Sequence, residues 1–182
     1  MNAPLLDSPM SDLAILVAPD PRLKQRAQPV GRVDYGVRRL MDDMLETMYR
    51  ANGIGLAAPQ VGVQRRVIVI DVSGPEERAQ PLRLADPEIL SQSDDETIGE
   101  EGCLSLPDQY ADVSRPAAVR VRYRDQDDRV QEIEADGLLA KCIQHEIDHL
   151  EGVLFVDHLS SLKRGIILRK LTKAKRQLTA AE

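Results

Sequence analysis

The chain has 182 residues, 42% hydrophobic and 30% charged, with a net charge of −6, which suits one soluble globular domain able to bury a core. With no Trp, one Phe and four Tyr, the core must rest on Leu, Ile, Val and Met, and a base-stacking platform for single-stranded nucleic acid is disfavoured. The two cysteines make no disulfide framework, no apolar run approaches the ~18 residues of a membrane span, and the start lacks both the basic flank and the apolar length of a signal peptide, so a cytoplasmic protein is expected.

Residues 1–12 carry Pro, Ser and Asp without periodicity and are expected to be unstructured. "APDPRLKQRAQPV" (18–30) is punctuated by proline and reads as loop. Val37, Leu40, Met41, Met44, Leu45 and Met48 recur at helical spacing and predict an amphipathic helix ending before Gly53. "GIGLAAPQVG" (53–62) follows it; by itself it reads as a helix-to-strand connection whose glycines permit close backbone approach and whose Gln60 offers an amide donor. "RVIVIDV" (66–72) is short and β-branched, a buried strand, and 73–81 is a loop. Further strands are expected at 87–90 and 119–123, the latter paired in a hairpin with 129–134 across "DQDD". "GEEGCLSLP" (99–107) reads as extended and close to another backbone.

"DGLLAKCIQHEIDHLEG" (136–152) then predicts a helix with Asp136 as N-cap and Gly152 at its end. One stripe is polar (Lys141, Gln144, Asp148, Glu151), and two read as buried: Leu138, Cys142, His145, His149 and Leu139, Ile143, Ile147, Leu150. A last helix spans roughly 159–178. Short strands, hairpins and few helices together predict an α+β fold, mainly antiparallel short strands packed around a central helix, with a C-terminal helix.

Within the central helix stands "HEIDH" (145–149). Residues four apart share a helix face, so His145 and His149 can hold one metal ion while Glu146, on the flank, acts on water. A catalytic site of this kind needs a third protein ligand and one open position. Cys142 lies seven residues from His149, about 10 Å along the axis, too far for a short side chain to converge with both histidines. It reads instead as a small buried hydrophobe. Cys103 is the better candidate, although its residue type and place alone fit a buried thiol equally well.

Taken together, "GIGLAAPQ" (53–60), "EGCLS" (101–105) and "HEIDH" (145–149) stand in the order and form of the motifs of the peptide deformylase family, which the chain resembles over roughly 13–175. That resemblance implies removal of the formyl group from N-formylmethionyl nascent peptides, with formate released. It implies Cys103, His145 and His149 as ligands of one divalent ion, Fe(II) in the cell, with Zn(II), Ni(II) or Co(II) as alternatives. Glu146 would take a proton from the activated water and pass it to the leaving amine, and Gln60 with the backbone N–H of Leu104 would stabilise the oxyanion. Gly53, Ile54, Gly55, Glu101, Gly102, Leu138 and Cys142 would contact the peptide, which the glycine loop pairs in β-fashion. Three positions depart from the family pattern. Lys141 stands where an apolar pocket residue is expected, Gly99 where some members carry Ile, and "ADPEIL" (85–90) where Asn-Pro is common.

Residues 159–182 hold seven Lys or Arg and one acid, against an acidic remainder, so the expected organisation is an unstructured segment 1–12, a catalytic domain 13–158 and a basic helix 159–182. With Leu159, Leu162, Ile166, Ile167, Leu171, Ala174 and Leu178 as an apolar face, that helix could simply dock on the domain, attract a phosphate backbone, or serve a dimer. The family resemblance implies ribosome binding through it, with no membrane or DNA partner. Two competing functions share parts of this pattern. A metalloendopeptidase would use the same HExxH but leaves the first two motifs unexplained, and a non-catalytic RNA- or ribosome-binding protein needs neither Glu146 nor Gln60.

Overall fold

The structure, a computed structural model, describes residues 13–180; the segment 1–12 expected to be unstructured lies outside the described residues. Strand β2 (Val67–Ile70) sets the plan of the molecule, because all four of its residues are buried. Successive side chains of a strand point to opposite faces. Ile68 and Ile70 therefore enter one core and Val67 and Val69 another. A continuous β-branched run without alternation has this cause: the sheet is covered on both sides.

The first core lies under helix α2 (Gly137–Leu150), where Ala140, Ile143 and Leu150 meet Leu84, Val121 and Ala135 from the sheet. The second lies under helix α1 (Tyr35–Arg50), where Val37, Met41, Met44, Leu45 and Met48 pack on Leu56 and Ala85. Each such fully buried side chain contributes roughly 1.5–3 kcal/mol of transfer free energy. The Asp34 carboxylate caps α1 by accepting the Val37 N–H at 2.9 Å. Asn52 closes it in the left-handed conformation (φ 54°), and the Gly53 N–H reaches back to the Met48 carbonyl.

The main sheet is antiparallel, in the order β1 (Gly55–Ala57), β2, β3 (Leu82–Gln92), β6 (Ala118–Arg124), β7 (Val130–Asp136). The expected 119–123/129–134 hairpin is present, with Val121 facing Ile133. The expected strand at 87–90 is the middle of the longer β3, which is bulged at Asp86 (φ 48°). The Asp86 carboxylate accepts the backbone N–H groups of Val30 and Gly31 at 2.7 and 2.8 Å. Asn and Asp both tolerate the left-handed region, so an aspartate is accommodated where the family commonly has Asn.

A second sheet of two strands, β4 (Glu96–Cys103) and β5 (Leu106–Pro116), was not legible as a hairpin in the sequence. Most of β4 faces solvent with Glu, Thr and Gly, so no hydrophobic alternation marks it. β1 was likewise hidden inside the stretch read as a connection; it is followed by a 3-10 turn at Ala58–Val61.

Two details of α2 differ from expectation. Asp136 holds the N-cap position but its side chain makes no capping hydrogen bond. Gln144, on the polar stripe, is buried, where its amide donates to the carbonyls of Pro116 and Ala140, both at 3.0 Å. Gly152 ends the helix in the left-handed region as expected (φ 73°), and a Cβ there would fall 2.5 Å from the Lys24 carbonyl oxygen. The last helix, α3 (Ser161–Thr179), docks through Ile167 and Leu171 onto a third core containing Leu106, Val113, Phe155 and Val156. Leu162 and Leu178, expected on its apolar face, are exposed. No helix among the described residues is long and apolar enough to cross a membrane.

Candidate active site

Three elements converge on a cleft of about 480 Å³: the middle of α2, the end of β4, and the segment from Asn52 through the 3-10 turn. α2 is buried along its inner face, so His145 and His149 cannot turn to solvent and instead face Cys103 at the last position of β4. A register shift between Gly102 and Cys103, just before the turn into β5, aims the thiol at the helix. The donor atoms of Cys103, His145 and His149 all lie within 4.8 Å of one another, and Cys103 Sγ is 3.3 Å from His149 Nε2. Cys142 takes no part; its thiol, pushed up by burial, points to the Ile54 carbonyl at 3.7 Å.

The residues fit a metal ion. One thiol and two imidazoles are the donors that divalent transition ions accept, and three of them leave one position open. His145 Nδ1 is 2.9 Å from Glu101 Oε2, which leaves Nε2 free for a metal. His149 Nδ1 is buried with no hydrogen-bond partner among the described residues.

Glu101 lines the cleft, yet its carboxylate is turned to His145 and to the buried guanidinium of Arg115, whose Nη2 donates to it at 3.0 Å. Burial alone would raise the Glu101 carboxyl; the hydrogen bonds from His145 and Arg115 outweigh it and hold it at about 2. Arg115 Nη1 also donates to Asp148 Oδ2 at 3.0 Å, and the same oxygen meets His158 Nε2 at 2.7 Å. Phe155 stacks on the His145 ring, with centroids 6.4 Å apart. Sequence reasoning missed Arg115 and Phe155 altogether, since neither lies in a motif. An Arg inside the strand-forming stretch "ADVSRPAAV" (111–119) was the available signal.

Glu146 is 4% exposed, and burial raises its carboxyl to about 7. Its Oε2 has no hydrogen-bond partner among the described residues. Its other oxygen lies against Gly55, where a Cβ would come within 2.5 Å of Oε1 and 2.8 Å of Cys142 Sγ. Gly55 is therefore required for space. Gly53 has a similar reason, since a Cβ there would lie 2.7 Å from Leu104 Cδ1. Gly102 makes room for the Tyr110 ring, 2.5 Å from the place of its missing Cβ.

Gln60 is 1% exposed and its amide is fixed at both ends. Oε1 accepts the Ala57 N–H at 2.8 Å; Nε2 donates to Ser105 Oγ at 3.1 Å and lies 3.5 Å from Cys103 Sγ. Ile54 and Leu138 stand exposed in the cleft lining, opposite one another in sequence origin but on one surface. Among the described residues, β1 and β4 each pair with one strand only, so each has an edge without a neighbour there in its sheet.

The antiparallel α+β frame and a thiol–imidazole donor set beside a buried carboxylate of raised pKa define a metal-dependent hydrolase. A family model for polypeptide deformylase matches residues 13–165. A peptide deformylase of Agrobacterium fabrum is 56% identical over 162 residues, covering 89% of this chain and 95% of its own. One from Methylocella silvestris is 59% identical over 163 residues, covering 88% and 83%. The crystal structure of peptide deformylase from Ehrlichia chaffeensis superposes with a TM-score of 0.88 at 39% identity, covering 92% of this chain and 98% of that one. The same protein in complex with actinonin gives 0.86 at 40% identity, covering 92% and 99%. The chain belongs to the polypeptide deformylase family, metal-dependent hydrolases that remove the N-terminal formyl group from nascent peptides.

Proposed function

We propose that Cys103, His145 and His149 hold one divalent ion, Fe(II) in the cell, in a site that Zn(II), Ni(II) or Co(II) can also fill. The carrying observation is the convergence of these three donors, from β4 and α2, within 4.8 Å beside the buried Glu146. When bound, the ion supplies Lewis acidity toward water and the formyl carbonyl.

The rest of the chemistry falls to the chain. Glu146, buried on the flank of the two histidines, is suited to take a proton from the attacking water and to return it to the leaving amine. The Gln60 amide, locked by Ala57 and Ser105, and the Leu104 N–H stabilise negative charge on the formyl oxygen without reorganising. The C–N bond breaks, and the products are formate and a free N-terminal methionine.

The peptide binds as an extended strand between the free edges of β1 and β4, against Gly53, Ile54, Gly55, Glu101 and Gly102. Ile54, Leu138, Cys142 and the edge of His145 receive the methionine side chain. Residues 13–158 form the catalytic unit. The basic segment 159–182, whose helix spans Ser161–Thr179, serves ribosome association, supported by its seven Lys and Arg and by the burial of no more than Ile167 and Leu171 among the described residues of that helix. The site of action is the cytoplasm.

The test is formate release from an N-formyl-Met-Ala peptide by protein purified without oxygen and loaded with Fe(II) or Ni(II). Release that vanishes in Cys103→Ser and Glu146→Ala, with metal retained by the latter, supports the assignment. No release at one bound equivalent of metal would overturn it. Metal analysis of the anaerobically purified protein decides the ion.

A further inference from the structure

Two of the positions that depart from the family pattern meet in space. Lys141 lies one turn before His145 on α2, and its Nζ donates to the Glu100 carbonyl oxygen of β4 at 2.9 Å. Gly99 leaves this place open: a Cβ there would lie 3.2 Å from Nζ, so a larger side chain would crowd the ammonium. The stem of Lys141 thus forms part of the cleft wall while its charge is held at a fixed point on that wall.

Among the described residues, Lys141 is the only Lys or Arg lining the cleft. Its hydrogen bond goes to a neutral carbonyl, and among the described residues no carboxylate stands within ion-pair distance of it. The carboxylates of the cleft are placed otherwise. Glu101 is bound to Arg115 and His145, Glu146 is buried against Gly55, and Glu100 and Asp108 are exposed at the rim. A positive charge that is positioned in a substrate cleft without a carboxylate partner favours an anionic group on the ligand.

We propose that Lys141 makes this enzyme selective for formylated peptides carrying an acidic side chain downstream of the formylmethionine. The inference rests on the deformylase reading above and adds a sequence preference to it. An ion pair at a partly exposed site corresponds to a gain of roughly three- to fivefold in kcat/KM, most of it lost at high salt.

The experiment compares near-isosteric peptides, formyl-Met-Glu-Ala with formyl-Met-Gln-Ala and formyl-Met-Ala-Glu with formyl-Met-Ala-Gln, on the metal-loaded full chain at low and high salt. The expected result is a Glu-to-Gln ratio of kcat/KM that falls about three- to fivefold in Lys141→Met at one of the two positions. It returns in Lys141→Arg and shrinks with salt in the wild type. The ratio is taken within each variant, so partial loss of folded protein cancels. Were Lys141→Met inactive, Gly99→Ile, which displaces the ammonium without removing it, must lower the same ratio. An unchanged ratio in these variants at both positions would overturn the proposal. Absence of formate from every peptide would instead overturn the deformylase reading beneath it.

Discussion

Nδ1 of His145 and Oε2 of Glu101 stand 2.9 Å apart, and Arg115 Nη2 donates to the same oxygen at 3.0 Å. The carboxylate fixes both the orientation and the tautomer of the imidazole, so the remaining nitrogen is the one offered to a metal. Glu101→Gln is expected to weaken metal affinity roughly 10- to 100-fold, because the amide orients the ring less strongly. Arg115→Ala leaves a buried carboxylate without its cation and should cost about 3–5 kcal/mol of stability. A Co(II) titration followed by absorbance, with urea denaturation of each variant, checks both. Unchanged affinity in Glu101→Gln would remove the supporting role.

Glu146 gives a stability prediction whose sign is opposite to that of an ion-paired carboxylate. Burial holds its proton on up to about pH 7 in the folded, metal-free protein, while the unfolded chain releases it near pH 4.5. Between these values the folded state binds more protons, so stability falls as pH rises. Glu146→Gln should match the wild type below about pH 4.5 and exceed it by an amount on the order of 3 kcal/mol at pH 8. Denaturation of the metal-free proteins across pH reads this directly, and equal curves would show that the carboxyl is not raised. In the same variant turnover should drop at least about 100-fold with metal retained.

Gly55 tests the space around that carboxylate. In Gly55→Ala the new methyl would need the place of Glu146 Oε1 and Cys142 Sγ, 2.5 and 2.8 Å away. Something must move, at a cost of about 1–3 kcal/mol. Because Glu146 is among the groups displaced, kcat should fall more than KM rises. Adding Cys142→Ala makes room on one side and should recover part of the loss; no recovery would place the strain elsewhere.

Gln60 is locked before substrate arrives, so its contribution should be to the transition state. Gln60→Leu removes the amide donor and leaves the Ala57 N–H, now bound to Oε1 at 2.8 Å, without that acceptor. A loss on the order of 100- to 1000-fold in kcat is expected from the donor, with KM little altered. A change confined to KM would assign Gln60 to ground-state binding.

The pairing of His145 with His149 was set by sequence alone, since residues four apart on any α-helix share a face. The burial of β2 and the 119–123/129–134 hairpin were equally local matters of β-branched runs and turn residues. The third ligand was not. Spacing ruled out Cys142, but Cys103 stood beside the plain alternative of a buried thiol, and family resemblance rather than periodicity favoured it. What brings Cys103 to the helix is the β4–β5 hairpin, whose solvent-facing strand carries no hydrophobic signal. The Glu101–Arg115 pair behind His145, the strained room left by Gly55, and the meeting of Lys141 with Gly99 are all contacts between residues 14 or more apart in the chain. Helical and strand periods report only which face a residue occupies. Which group waits on the other side depends on how separate elements pack, and that was decided by the tertiary structure.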